Sequence, residues 1–118
     1  MTADPPGTSY LEAILIAMRR AAQGIASVSG YLGSAERAPS TPWKWQLLTA
    51  AGTAHAEATA SLDEADERLR KLGAPDRLPA PLDALPERLH VLRAELRDSE
   101  ERIQAALSAA LATAAGSA

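Results

Sequence analysis

Apolar residues recur along three long stretches of the chain at alternating spacings of three and four residues. This period of 3.5 places them on one side of an α-helix and is typical of helices that pack along a shared seam. The first seam consists of Leu11, Ile14, Met18, Ala21, Ile25, Val28 and Leu32. The second consists of Leu48, Ala51, His55, Ala58, Leu62, Ala65, Leu69 and Leu72. The third consists of Leu85, Leu89, Leu92, Leu96, Ser99, Ile103, Ala106 and Ala110.

Segments rich in proline separate the three stretches and mark connections between helices. We expect an N-terminal lead over residues 1–8 and a single helical-bundle domain over residues 9–115. The expected helices cover about residues 9–35, 42–72 and 83–115. Short connections make neighbouring helices antiparallel. The sequence therefore predicts an all-α fold, an up-down-up three-helix bundle with long antiparallel helices, and leaves open its completion by dimerisation.

Each expected helix start carries a residue suited to capping. Ser9, Thr41 and Asp83 have short side chains with an oxygen that can accept hydrogen bonds from the free amides of a first turn. Glu12 follows Ser9 by three residues, which is the spacing of a capping box. These three residues are the predicted N-caps.

Composition favours helices and narrows the classes of partner. Alanine occupies 27 of 118 positions and is the strongest helix former, whereas phenylalanine and cysteine are absent. The net charge is −3, and the acidic and basic residues are interspersed without a basic stripe, so we expect no nucleic-acid partner. No stretch reaches the roughly 20 apolar residues that cross a bilayer, and the first residues lack a secretion signal. We therefore expect a cytoplasmic protein with no membrane partner.

Two polar residues interrupt the apolar seams. Counting outward from the two connections places His55 level with Ala21 and Ala22 of the first helix and with Ser99 of the third. One interpretation is structural, a hydrogen bond between His55 and Ser99 inside the core. The other is functional, a pocket among small residues with His55 and Ser99 on its wall as ligand-binding or catalytic groups. No acidic residue shares this layer on a seam, so a Ser-His-Asp relay is not supported.

The aromatic residues gather near one end of the expected bundle. The same counting places Trp43 and Trp45 near Tyr31 and near Leu107 and Leu111 of the third helix. There the indoles are expected to fill space that small residues leave open. Residues two apart on a helix do not face the same side, so we expect one tryptophan to be exposed or to be buried against a partner. Together with His55 and Ser99, these three aromatic residues are the candidate ligand-binding residues.

The chain offers one candidate motif for metal chemistry. Glu87 and His90 have the Glu-x-x-His spacing of carboxylate-bridged di-metal bundles, which need two such motifs and further glutamates. Only one motif is present. We therefore expect neither a metal nor a cofactor.

The first helix carries unusually few charges. From Leu11 to Leu32 only Glu12, Arg19 and Arg20 are charged, and the end of the third helix, Ile103 to Ala115, is also poor in charge. Weakly polar faces on adjacent helices are typical of interfaces. We therefore predict a small helical-bundle interaction or scaffold protein that forms a homodimer or docks another protein. The alternative is a small-molecule-binding protein or cofactor-independent enzyme with a mid-bundle pocket around His55.

Overall fold

Three long helices make up almost all of the described chain. A computed structural model describes residues 6–73, 78, 80 and 82–116, and of residues 6–10 it describes the backbone alone. The helices are α1 (Pro6–Glu36), α2 (Thr41–Leu72) and α3 (Leu85–Gly116), with a 3-10 turn over Leu82–Ala84 directly before α3. None of these residues forms a β-strand. The predicted all-α three-helix bundle is confirmed.

The start of α1 and the predicted caps of α1 and α3 differ from the structure, whereas α3 begins at Leu85, within two residues of its expected start. α1 begins at Pro6, so Ser9 lies inside the helix and its prediction as the N-cap is wrong. Proline suits a first helical position because its missing N–H would find no partner there, and its φ is already helical. Asp83 lies within the 3-10 turn rather than directly before α3. Residues 1–5 of the predicted lead lie outside the described residues.

Ser40, not Thr41, caps the start of α2. Its backbone is extended, with φ −140° and ψ 154°, and its hydroxyl accepts a hydrogen bond of 3.4 Å from the amide of Trp43. Thr41 is the first residue of the helix. At the other end, Gly73 has a φ of 145°, a conformation that strains any residue with a side chain, and its amide donates to the carbonyl of Arg70.

α1 and α2 approach each other more closely than either approaches α3. Small residues make this possible: a methyl group placed on Gly24 would lie 2.9 Å from the Cβ of Ala58 and 3.1 Å from the carbonyl oxygen of Ala54. The buried small residues of these two helices are Ala17, Ala21, Ala35, Ala51, Ala54, Ala58 and Ala65. Only a glycine fits at position 24 without moving the helices apart.

The buried apolar residues form two clusters along the bundle axis. The first cluster is rich in leucine and consists of Ile14, Ala17, Met18, Ala21, Ala58, Leu62, Ala65, Leu69, Leu78, Leu85, Leu89, Leu92 and Leu96. The second cluster is rich in alanine and consists of Val28, Leu32, Ala35, Leu48, Ala51, Ala54, Ile103 and Ala110. The boundary falls between Ala54 and Ala58 on α2 and between Leu96 and Ile103 on α3. His55 lies between Ala54 and Ala58, and Ser99 lies between Leu96 and Ile103, so both lie where the two clusters meet.

Ion pairs on the surface attach α3 to α2. The guanidinium of Arg93 donates to Asp63 Oδ1 at 2.8 Å and, through Nε, to Asp66 Oδ2 at 3.1 Å. The hydrogen bonds to Asp66 and then to Asp63 raise the pKa of Arg93 above its ordinary value. These ion pairs join α2 to α3. They therefore favour one relative position of the two helices along the bundle axis, in addition to a modest electrostatic attraction.

Candidate functional site

His55 bridges α2 and α3 rather than lining an open space. The imidazole is half-buried, and its Nε2 lies 3.2 Å from the backbone carbonyl oxygen of Leu96. A carbonyl can only accept, so Nε2 carries the proton in this hydrogen bond. The partner of His55 is therefore a backbone carbonyl of α3, not the hydroxyl of Ser99 that the structural interpretation predicted.

Ser99 lies three residues after the carbonyl that His55 contacts, and it is the one buried polar residue of the described core, with 4% of its surface exposed. The structure therefore brings the two polar residues to neighbouring turns of the α2–α3 contact. Neither residue lines the best-formed clefts among the described residues. The mid-bundle pocket around His55 stays a prediction.

The three aromatic candidates do not converge. Trp45 packs against the second cluster, as does Leu107. Trp43 is 50% exposed and Tyr31 is 37% exposed, so the expectation that one tryptophan faces outward is confirmed. Leu111, which the sequence placed near the two indoles, is also exposed. Trp45 lies ten residues before His55, about 15 Å along α2, so these candidates belong to different parts of the bundle.

A cleft lies at the second cluster, where the ends of the three helices meet; we call it the end cleft. It has a volume of about 370 Å³ and opens to solvent. It is lined by Leu32, Ala35, Glu36, Lys44, Leu48, Arg102, Ala105, Ala106 and Ala109. Its floor is aliphatic and its charged groups are two cations and one carboxylate.

The candidate residues from the sequence did not include those of the end cleft. One signal was present: Lys44 lies four residues before Leu48, so extending the α2 seam by one turn leads to the lysine. A charged residue at a seam position is expected where the helix ends or where the seam borders a cleft that is open to solvent. The lining alanines carry no such signal, because alanine is frequent throughout the chain.

The structure offers no metal-binding group among the residues that it describes. No three His, Asp or Glu side chains of these residues come together as ligands. Glu87 and His90, the predicted Glu-x-x-His pair, are both exposed on α3. Within the described ranges, no helix has the length and apolarity needed to cross a membrane.

Comparisons of the chain with protein-family models, with curated proteins and with solved structures give no match.

Proposed function

We propose that this chain is a small helical-bundle interaction protein that associates with a second copy of itself through adjacent sides of α1 and α3. The observation that carries the proposal is the exposure of large apolar side chains there. Leu15 of α1 is 44% exposed and Val91 of α3 is 48% exposed. Ala22 lies two turns after Leu15 on the same side of α1 and lines a cleft together with Val91. We call this surface, defined by Leu15, Ala22 and Val91, the α1–α3 face.

The total exposed surface supports association. The chain exposes 7729 Å², whereas a compact monomer of 12.4 kDa is expected to expose about 6,100 Å². The cause is its shape, since the Cα atoms extend over 65 × 32 × 17 Å. A stable dimer interface covers about 800 Å² on each copy. Self-association would therefore cover about half of the difference between the observed exposed surface and the surface expected for a compact monomer.

Charges of both signs border the α1–α3 face, since Glu87, Arg88 and Glu95 line the same cleft as Val91, and the two carboxylates could pair with an arginine of a second copy. Glu87 and Glu95 flank Val91 by one turn on either side, and both are exposed. Arg19 lies one turn after Leu15 on α1 and is also exposed. A twofold arrangement that lays α1 of one copy against α3 of the other would bring each arginine toward the partner's carboxylates. The sequence pointed to the second half of α3, where Leu111 is 58% exposed, whereas Val91 of the α1–α3 face lies in the first half.

The test measures the oligomeric state of two matched variants by sedimentation velocity at tens of micromolar. Leu15→Glu places a charge in the proposed interface, and Ile16→Glu places one at a residue of similar exposure, 49%, about 100° further around the same helix. Ile16 points toward α2 because Arg20 and Gln23, one and two turns later, line the cleft between α1 and α2.

We expect the wild-type chain and Ile16→Glu to sediment as dimers. We expect Leu15→Glu to weaken the dimer about thirtyfold or more, since an interface hot spot is worth at least about 2 kcal/mol. A monomeric wild-type chain overturns self-association. Equal weakening by both substitutions assigns the interface to the whole of α1 rather than to the α1–α3 face.

A further inference from the structure

The end cleft combines an aliphatic floor with charges at its rim. Leu32 of α1 and Leu48 of α2 are almost completely buried beneath it, and Ala106 of α3 packs against the same cluster. The volume of about 370 Å³ is in the range of small-molecule sites. At about 30 Å³ for each water-sized group, it accommodates roughly ten to twelve non-hydrogen atoms.

The charged groups of the end cleft are not neutralised by one another. Among the described residues, neither the ammonium of Lys44 nor the guanidinium of Arg102 has a carboxylate within 4.0 Å, although Glu36 lines the same cleft. The hydrogen bond of Arg102 goes to a neutral group, the hydroxyl of Ser29, at 3.4 Å. Two cations and one anion leave the cleft with a net positive charge, and Lys44 is half-buried beside apolar atoms.

We propose that the end cleft binds a medium-chain aliphatic monocarboxylate, with the carboxylate between Lys44 and Arg102 and the alkyl chain on the leucine and alanine floor. A carboxylate forms charge-assisted hydrogen bonds with both cations. The chain removes its own apolar surface and that of the floor from water. Glu36 limits the net charge of the cleft to one positive charge, so we expect a ligand with one carboxylate to be favoured over a ligand with two.

The first experiment measures the affinity of the full chain for three eight-carbon ligands by isothermal titration calorimetry. Octanoate has ten non-hydrogen atoms and carries the proposed pattern. Suberate adds a second carboxylate, and octylammonium reverses the charge. We expect octanoate to bind with a stoichiometry of one. We expect octylammonium to bind at least about tenfold more weakly, because it loses the charge-assisted hydrogen bonds. We expect suberate to bind more weakly than octanoate because its second carboxylate must leave water beside the apolar floor.

The second experiment compares the two lysines of the chain, which form a matched pair. Lys44→Met keeps the length and the apolar stem of the side chain and removes the charge in the end cleft. Lys71→Met makes the same change at the far end of α2, where the ammonium lies 3.7 Å from Glu67. We expect Lys44→Met to weaken octanoate binding about tenfold and Lys71→Met to leave it unchanged.

Four results would overturn the proposal: no binding of octanoate, equal binding of octylammonium, equal binding of suberate, or equal effects of the two lysine substitutions. If circular dichroism shows that Lys44→Met does not fold, Arg102→Met provides the same test, because Arg102 is exposed and its loss leaves the core intact. We expect Arg102→Met to weaken octanoate binding about tenfold as well, and an unchanged affinity would overturn the proposal.

Discussion

Replacing Gly24 by alanine tests the close contact between α1 and α2. The added methyl group would lie 2.9 Å from the Cβ of Ala58 and 3.1 Å from the carbonyl oxygen of Ala54. Carbon atoms in favourable contact are separated by about 3.5–4.0 Å, so the helices must separate locally by about half an ångström or more. Neither contacting atom lies on a flexible side chain, and the strain therefore passes to the backbone of α2.

The free energy of this substitution has two terms of opposite sign. Alanine is favoured over glycine in a helix interior by about 1 kcal/mol. Inserting a methyl group into a close-packed contact costs about 1–3 kcal/mol. We therefore expect Gly24→Ala to lower the free energy of unfolding by about 1 kcal/mol overall.

Gly30→Ala provides the matched control in the same helix. A methyl group placed on Gly30 has no neighbouring atom within 4 Å, so only the helix-propensity term applies. We expect this variant to gain about 0.5–1 kcal/mol of stability. Urea denaturation followed by far-ultraviolet circular dichroism measures both changes. If Gly24→Ala stabilises the protein as much as Gly30→Ala does, the close approach of α1 and α2 is refuted.

Three further substitutions test local interactions. Ser40→Ala is expected to cost about 1 kcal/mol in urea denaturation through loss of the α2 cap, and Thr41→Ala is expected to cost less; the reverse order would restore Thr41 as the cap. Arg93→Met is expected to cost about 1 kcal/mol, and the cost should shrink at high salt, since the ion pairs are partly exposed. If Arg93→Met costs no stability at low salt, the ion pairs of Arg93 do not attach α3 to α2. The hydrogen bond and charge of Arg68 lower the pKa of Glu64, so this interaction stabilises the fold above the ordinary pKa of a glutamate and is lost as the pH falls through the lowered one. Arg68→Met should therefore raise the pKa of Glu64 in a carboxyl NMR titration, and an unchanged pKa would contradict this cause.

The apolar seams were predictable because burial imposes them directly on the order of residues. Ile14, Met18 and Val28 on α1 and Leu62 and Leu69 on α2 are buried as the 3.5-residue period requires. The polar interruption was visible for the same reason, since His55 and Ser99 occupy seam positions. The sequence could not show that the imidazole contacts a backbone carbonyl, because every helix offers carbonyls at every level.

The relative height of the helices could not be read from the sequence. Counting outward from the first connection placed Ala21 level with His55, but the structure sets Gly24 against Ala54 and Ala58. α2 is therefore displaced by about one turn relative to that expectation. The shift follows from contacts between small residues, which allow several registers of similar spacing until a glycine selects one. The end cleft is lined by residues of all three helices that this register brings together, so the sequence did not predict it.

The division of the core into two clusters makes the stability of the bundle uneven along its length. Each buried large aliphatic side chain contributes about 1.5–3 kcal/mol, and the leucine-rich cluster holds about twice as many of them as the alanine-rich one. Partial opening at the alanine-rich end is therefore the least costly excursion from the native state, and its amides should exchange with solvent first. The end cleft lies in this less stable half of the bundle. A molecule bound there would therefore stabilise this half against partial opening.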